Sequence, residues 1–234
     1  MKNNESIWYN DSSYVRQKEN KVVVKLKNQD GTFKESCIVP TVMYPLNGPL
    51  QVFNANNTCL VEDKTLLEVF NSVKYQVGKC YQNSIDLAAA LRALGYEAKT
   101  YVGWLFLSET TYPVHHSWVV VENHVLDLSD DYSIMLYGDN KKNFDNCKSL
   151  EEQRQMLASF RQAAAKQPNS VRCSPVGCPS SFLLYIGCEC DPDKGRKIYR
   201  DLIKTYPNHP VHKNVGADGL NATQSLFKKE GLMQ

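Results

Sequence analysis

Cys80 stands at the head of the run CYQNSIDLAAALRALGYEA, and 36 residues later the segment HHSWVVVENHVLDLS supplies His116 and Asp127. A thiol at a helix start, an imidazole on one strand and a carboxylate on the next together turn a weak nucleophile into an activated one. A free thiol titrates near roughly pH 8.5, and a helix N-terminus plus an imidazolium lowers that value by several units. In such a set His116 takes the thiol proton and later returns one to the leaving group, while Asp127 fixes the imidazole tautomer. The expected reaction is attack on an amide or ester carbonyl to form a thioester. Water as the second reactant makes a protease, amidase or deamidase; an amine makes a transglutaminase. Gln76 and Gln82 are the side chains that could donate to the oxyanion, Gln82 being preferred, with backbone N–H groups at Cys80 as the main donors. Trp104 and Trp118 are candidates for the wall of a substrate pocket, although buried tryptophans more often serve the core. Adjacent residues of a strand face opposite sides, so only one of His115 and His116 can face the thiol.

The elements that must hold these residues follow from periodicity and punctuation. Leu66, Leu67, Val69, Phe70 and Val73 are spaced for a helix that starts at Asp63 and stops near Gly78, with Glu62 and Asp63 favourable to its N-terminal dipole. A second helix runs from Cys80 to Leu94, with Gly95 as its stop and Ile85, Leu87, Ala88, Leu91 and Leu94 as its buried stripe. Residues 97–107 read as a strand, and residues 117–121 and 124–128 as an antiparallel pair across a Glu122–Asn123 turn. Upstream, residues 21–39 form two β-rich runs around Asp30–Gly31, a hairpin signal. Downstream, residues 149–166 predict a helix with Ser149 as N-cap and Glu152 at capping-box spacing. The stretch 167–191 reads as loop around a short apolar run at residues 182–186. A last helix is expected from about Pro192 to Thr205.

Composition bounds the function classes. The chain has 234 residues, 42% of them hydrophobic, enough for a full core in one large domain or in one domain plus a small appendage. Its 27 Lys and Arg against 25 Asp and Glu leave no basic run that could track a phosphate backbone, so nucleic acid is not an expected partner. The N-terminus lacks the apolar stretch of a signal peptide and no window approaches a membrane span, which makes a cytoplasmic protein without a membrane partner the expectation. In that setting the eight cysteines are expected reduced, and the Asn-x-Ser/Thr triplets carry no weight. Cys173, Cys178, Cys188 and Cys190, with His209 and His212 downstream, form the rival constellation, a zinc-stabilised interaction domain. Their C-x4-C then C-x-C spacing departs from the usual zinc knuckle, so no metal and no other cofactor is expected.

Taken together, residues 78–128 resemble the core of the transglutaminase-like superfamily, a branch of the papain-like cysteine proteins. The resemblance covers about 50 of the 234 residues and rests on order and spacing. It implies an α+β fold with a catalytic helix packed on an antiparallel sheet, and matches Cys80, His116 with Trp118, and Asp127 to the family's catalytic positions. The family's H-x-W strand favours His116 over His115. Many members follow the Asp with Pro-Thr, whereas Leu128, Ser129, Asp130 and Asp131 follow here. The implied architecture is a single domain, with a core at 60–135, an N-terminal hairpin extension at 1–59 and a helical, Cys-rich C-terminal extension at 136–234. The implied substrates are peptides, proteins or small amides. The same fold without turnover, as a binding module, is the alternative.

Overall fold

The computed structural model describes residues 6–9, 13–18, 20–26, 37–42, 45, 46, 48–76, 79–106, 113–130, 143, 146–149, 151, 152, 155, 156, 159, 174–180, 183–207 and 209. Contacts divide the chain into two compact units, each assembled from separated stretches. One comprises Met1–Asn57, Tyr101–His116 and Ser181–Gln234; the other comprises Thr58–Thr100 and Ser117–Ser180. The fold is mixed α and β with antiparallel pairing, as the expected α+β class requires.

The first unit starts with four antiparallel strands, β1 (Ser6–Tyr9), β2 (Ser13–Lys18), β3 (Lys21–Leu26) and β4 (Cys37–Pro40), in sequential order. The β3–β4 pair, in register Lys21↔Pro40 to Val24↔Cys37, is the hairpin read from residues 21–39; its turn lies outside the described residues. β3 alternates as a one-sided strand must: Val22 and Val24 are buried while Lys21 and Lys25 are half-buried. A five-stranded sheet has the order β5-β9-β6-β7-β8. Its first-unit members include β5 (Gln51–Phe53) and β9 (Leu184–Glu189), and most of β6 (Lys99–Phe106). β9 lies between β5 and β6, antiparallel to both, with Val52↔Ile186 and Gly103↔Gly187 in register. The loop expected over 167–191 is thereby corrected where it followed the apolar run: Leu184–Glu189 is a central strand, buried from Leu184 to Cys188. Val15, Val22, Val24, Val39, Trp104, Phe106, Leu184 and Ile186 share one core with Leu202 of the last helix, α3 (Pro192–Thr205). α3 has the expected bounds, because Asp191 accepts from the Asp193 and Lys194 N–H groups and Pro192 occupies the first turn.

The second unit holds α1 (Lys64–Ser72), α2 (Cys80–Ala93), β7 (Val114–Val121) from Ser117 on, and β8 (His124–Leu126). Asp63 caps α1 by accepting from Thr65 and Leu66 N–H, and the Tyr96 hydroxyl donates to the same carboxylate at 2.6 Å. The Tyr96 bond first, then the Leu66 N–H, holds the Asp63 carboxyl below its ordinary range. α1 ends at Ser72 rather than near Gly78, since Val73 leaves helical geometry for extended backbone. α2 ends as expected: Gly95, at φ 88, donates to Arg92 O while Tyr96 N–H reaches Leu91 O, which closes the helix in a Schellman motif. Leu94, expected in the buried stripe, is instead 58% exposed, because it is the residue at which the helix turns away. β7 and β8 pair across a two-residue turn with Glu122 at φ 54, and β8 stops at Leu126 rather than Leu128. Leu66, Phe70, Leu87, Leu91, Val119, Val121 and Leu126 form this unit's core. Of the helix expected at 149–166, residues 151, 152, 155, 156 and 159 are helical, Glu152 N–H donates to Ser149 Oγ, and the remainder lies outside the described residues. No helix among the described residues is long and apolar enough to cross a membrane.

Candidate functional site

Cys80 is the first residue of α2 and is half-buried. Its N-cap, Lys79, supplies no capping oxygen, in contrast to Asp63 on α1. The approach to the helix is fixed from the side by Asn83. Its carbonyl accepts from Gln76 N–H at 3.0 Å, and its amide nitrogen donates to Gln76 O at 2.8 Å. The same amide donates to Ser129 Oγ at 2.7 Å, and Ser129 N–H donates to Asp127 Oδ1 at 2.7 Å. A chain of buried hydrogen bonds therefore ties the first turn of the Cys80 helix to the Asp127 segment. Asn83, Ser129 and Asp127 are all less than a tenth exposed, a setting in which each unmade bond would be costly. Ser84 Oγ donates back to Cys80 O at 2.9 Å.

The two glutamines meet on one carboxylate. Gln82 Nε2 donates to Asp86 Oδ1 at 2.8 Å, and Gln76 Nε2 to Asp86 Oδ2 at 3.4 Å. Lys79 Nζ in turn donates to Gln76 Oε1 at 3.2 Å. Asp86 thus orients both amides considered as oxyanion donors.

His116 belongs to the first unit, at the end of its Tyr101–His116 stretch, and is 6% exposed. Its ring centroid lies 6.2 Å from that of Tyr185 on β9. His115 is differently engaged, as strand alternation demands. Its ring stacks on Tyr199 of α3 at 4.9 Å and meets Trp104 edge-on at 4.6 Å. Enclosure by these rings, then the charges of His116 and His209, pushes the His115 imidazole down to about 3. His115 keeps part of its surface open, but the aromatic faces on both sides account for the direction. Trp104 is 2% exposed, donates its indole N–H to Pro45 O at 3.3 Å and also stacks with His209, while Trp118 is fully buried.

Among the candidate zinc ligands, Cys173 and His212 lie outside the described residues. Cys188 Sγ donates to Gly48 O at 2.7 Å and Cys190 Sγ to Asp191 O at 3.2 Å. Cys178 Sγ, in the other unit, accepts from Thr58 Oγ1 at 3.7 Å. No group of three or more His, Cys, Asp or Glu with metal-binding geometry occurs among the described residues.

The residues that sequence reasoning passed over are Asn83, Asp86 and Ser129. Asn83 carried a readable signal: with Leu87 and Leu91 it marks one face at steps of four, so an amide stands on an otherwise apolar stripe. Ser129 had none, since its partner is 46 residues away in the chain. No protein-family description, curated protein or solved structure matches the chain.

Proposed function

We propose that the protein is a cysteine-dependent acyl-transfer enzyme in which Cys80 is the nucleophile, His116 the base and Asp127 the residue that orients His116. The observation that carries this reading is the Asn83–Ser129–Asp127 relay, which couples the head of the Cys80 helix to the Asp127 segment through buried groups alone. Holding a nucleophile and a carboxylate in fixed relation is what an acyl-transfer site requires. The resemblance to transglutaminase-like and papain-like cysteine proteins supplies the roles. Cys80 Sγ attacks the carbonyl carbon of an amide or ester, His116 takes the thiol proton and donates one to the leaving group, and water or an amine resolves the thioester. Backbone N–H groups at the start of α2, with the Gln82 amide held by Asp86, stabilise the oxyanion. The substrates proposed are peptides, proteins or small amides in the cytoplasm.

Iodoacetamide labelling near pH 6.5, read residue by residue, tests the proposal. Cys80 should be labelled well before Cys147, Cys188 and Cys190, and His116→Ala should abolish that lead while His115→Ala leaves most of it. Labelling of Cys80 at the rate of Cys147 would overturn the nucleophile assignment.

A further inference from the structure

A thiol–imidazole contact stands in the second unit, apart from the residues above. Cys59 Sγ lies 3.4 Å from His124 Nδ1, and the same nitrogen lies 2.8 Å from Cys59 O. A carbonyl oxygen only accepts, so Nδ1 carries the proton and its N–H is shared between the carbonyl and the sulfur. A donor aimed at sulfur stabilises negative charge there. The thiols of Cys147, Cys188 and Cys190 instead each donate to a backbone carbonyl.

The pair is held by backbone on three sides. Cys59 N–H donates to Asn123 O at 3.3 Å, Val61 N–H to Val176 O at 3.0 Å, and Val125 N–H to Gly177 O at 2.9 Å. Gly177 has φ 95, and a Cβ there would stand 2.6 Å from Cys59 O, so only glycine lets this segment run against the carbonyl that holds His124. The Glu122–Asn123 turn fixes His124 as the first residue of β8. Cys59 itself is exposed, so a reagent reaches the sulfur that this frame orients.

We propose that Cys59, assisted by His124, is a thiol-modification site for low-molecular-weight disulfides. The Cys59 thiolate attacks one sulfur of the disulfide; a bond forms between the two sulfurs as the original S–S bond breaks. The departing thiolate takes up the proton that Cys59 lost. Cys59 and the disulfide thus become a mixed disulfide and one free thiol, with no further oxidant, and excess thiol reverses the step.

Full-length protein is incubated with oxidised glutathione at pH 7, acid-quenched at intervals, and each cysteine's adduct is quantified by peptide mass spectrometry. Cys59 should be modified at least about tenfold faster than Cys147, the scale of one hydrogen bond to a charged group. His124→Ala should remove that lead and leave the Cys147 rate unchanged. In urea the wild-type Cys59 should lose its lead as well, a reading that does not depend on the variant folding. A native Cys59 no faster than Cys147, a lead that survives urea, or one that survives His124→Ala in a folded protein would each overturn the proposal. Because rates are read at each cysteine, the outcome is independent of what Cys80 does.

Discussion

Asp127 accepts from Ser129 N–H with one oxygen, so an amide at that position can keep this bond through its carbonyl while losing its charge. Asp127→Asn should therefore leave the melting temperature nearly unchanged yet slow Cys80 labelling by about tenfold or more, through loss of imidazolium stabilisation. Asp130→Ala, which removes the acceptor of Ser174 N–H at 3.1 Å, should have the reverse profile: a measurable loss of thermal stability and unchanged labelling. If Asp130→Ala slowed labelling in a folded protein and a folded Asp127→Asn did not, the orienting acid would be misassigned. Parts of the residue scale were readable in sequence, and the reason is locality. The Asp63 carboxylate at the start of α1, expected to favour the helix dipole and found as its cap, and the Gly95 stop of α2 are each completed within a few residues. Asn83 and Ser129 acquire their meaning from each other across the fold, where sequence pattern has no reach.

Strand β6 is buried at every position from Thr100 to Phe106, and its Gly103 faces Gly187 of β9. A Cβ at Gly103 would overlap the Ile186 carbonyl and the Gly187 Cα, which are backbone atoms that cannot swing aside. Gly103→Ala should cost about 3 kcal/mol or more and lower the melting temperature by roughly 6–12 °C. Gly48→Ala, whose Cβ would meet Cys188 Cβ at an ordinary 3.6 Å, should be close to neutral in the same melt. Equal melting temperatures for the two variants would show that the strands separate more easily than this register implies. α3 was legible because its start is local: it begins at Pro192, directly after the Asp191 cap, and ends at Thr205 as expected. β9 was not, since LYIGCE contains glycine and cysteine, follows a proline-rich loop, and becomes a strand only through partners distant in sequence.

For the whole molecule, the aromatic enclosure of His115 sets a pH dependence of stability. Its imidazole titrates near 6.5 when exposed and at about 3 in the folded chain. Between those values the unfolded chain binds a proton that the folded chain refuses. The contribution is intact above pH 6.5 and is lost as pH falls toward 3, by at most about 1.4 kcal/mol per pH unit. Urea midpoints at pH 7, 5.5 and 4 should fall more steeply for wild type than for His115→Phe; parallel slopes would remove His115 from the acid response. The position of β9 has a consequence in time. Among the described residues β5 and β6 are joined through β9, in pairs such as Phe53↔Tyr185 and Tyr101↔Glu189, so the ribosome must release dozens of further residues before either strand gains this neighbour. At roughly 5–20 residues per second, that interval is on the order of ten seconds. Throughout it, the apolar edge of β6 stands open on the nascent chain, a substrate for chaperones and for aggregation before it is part of a sheet.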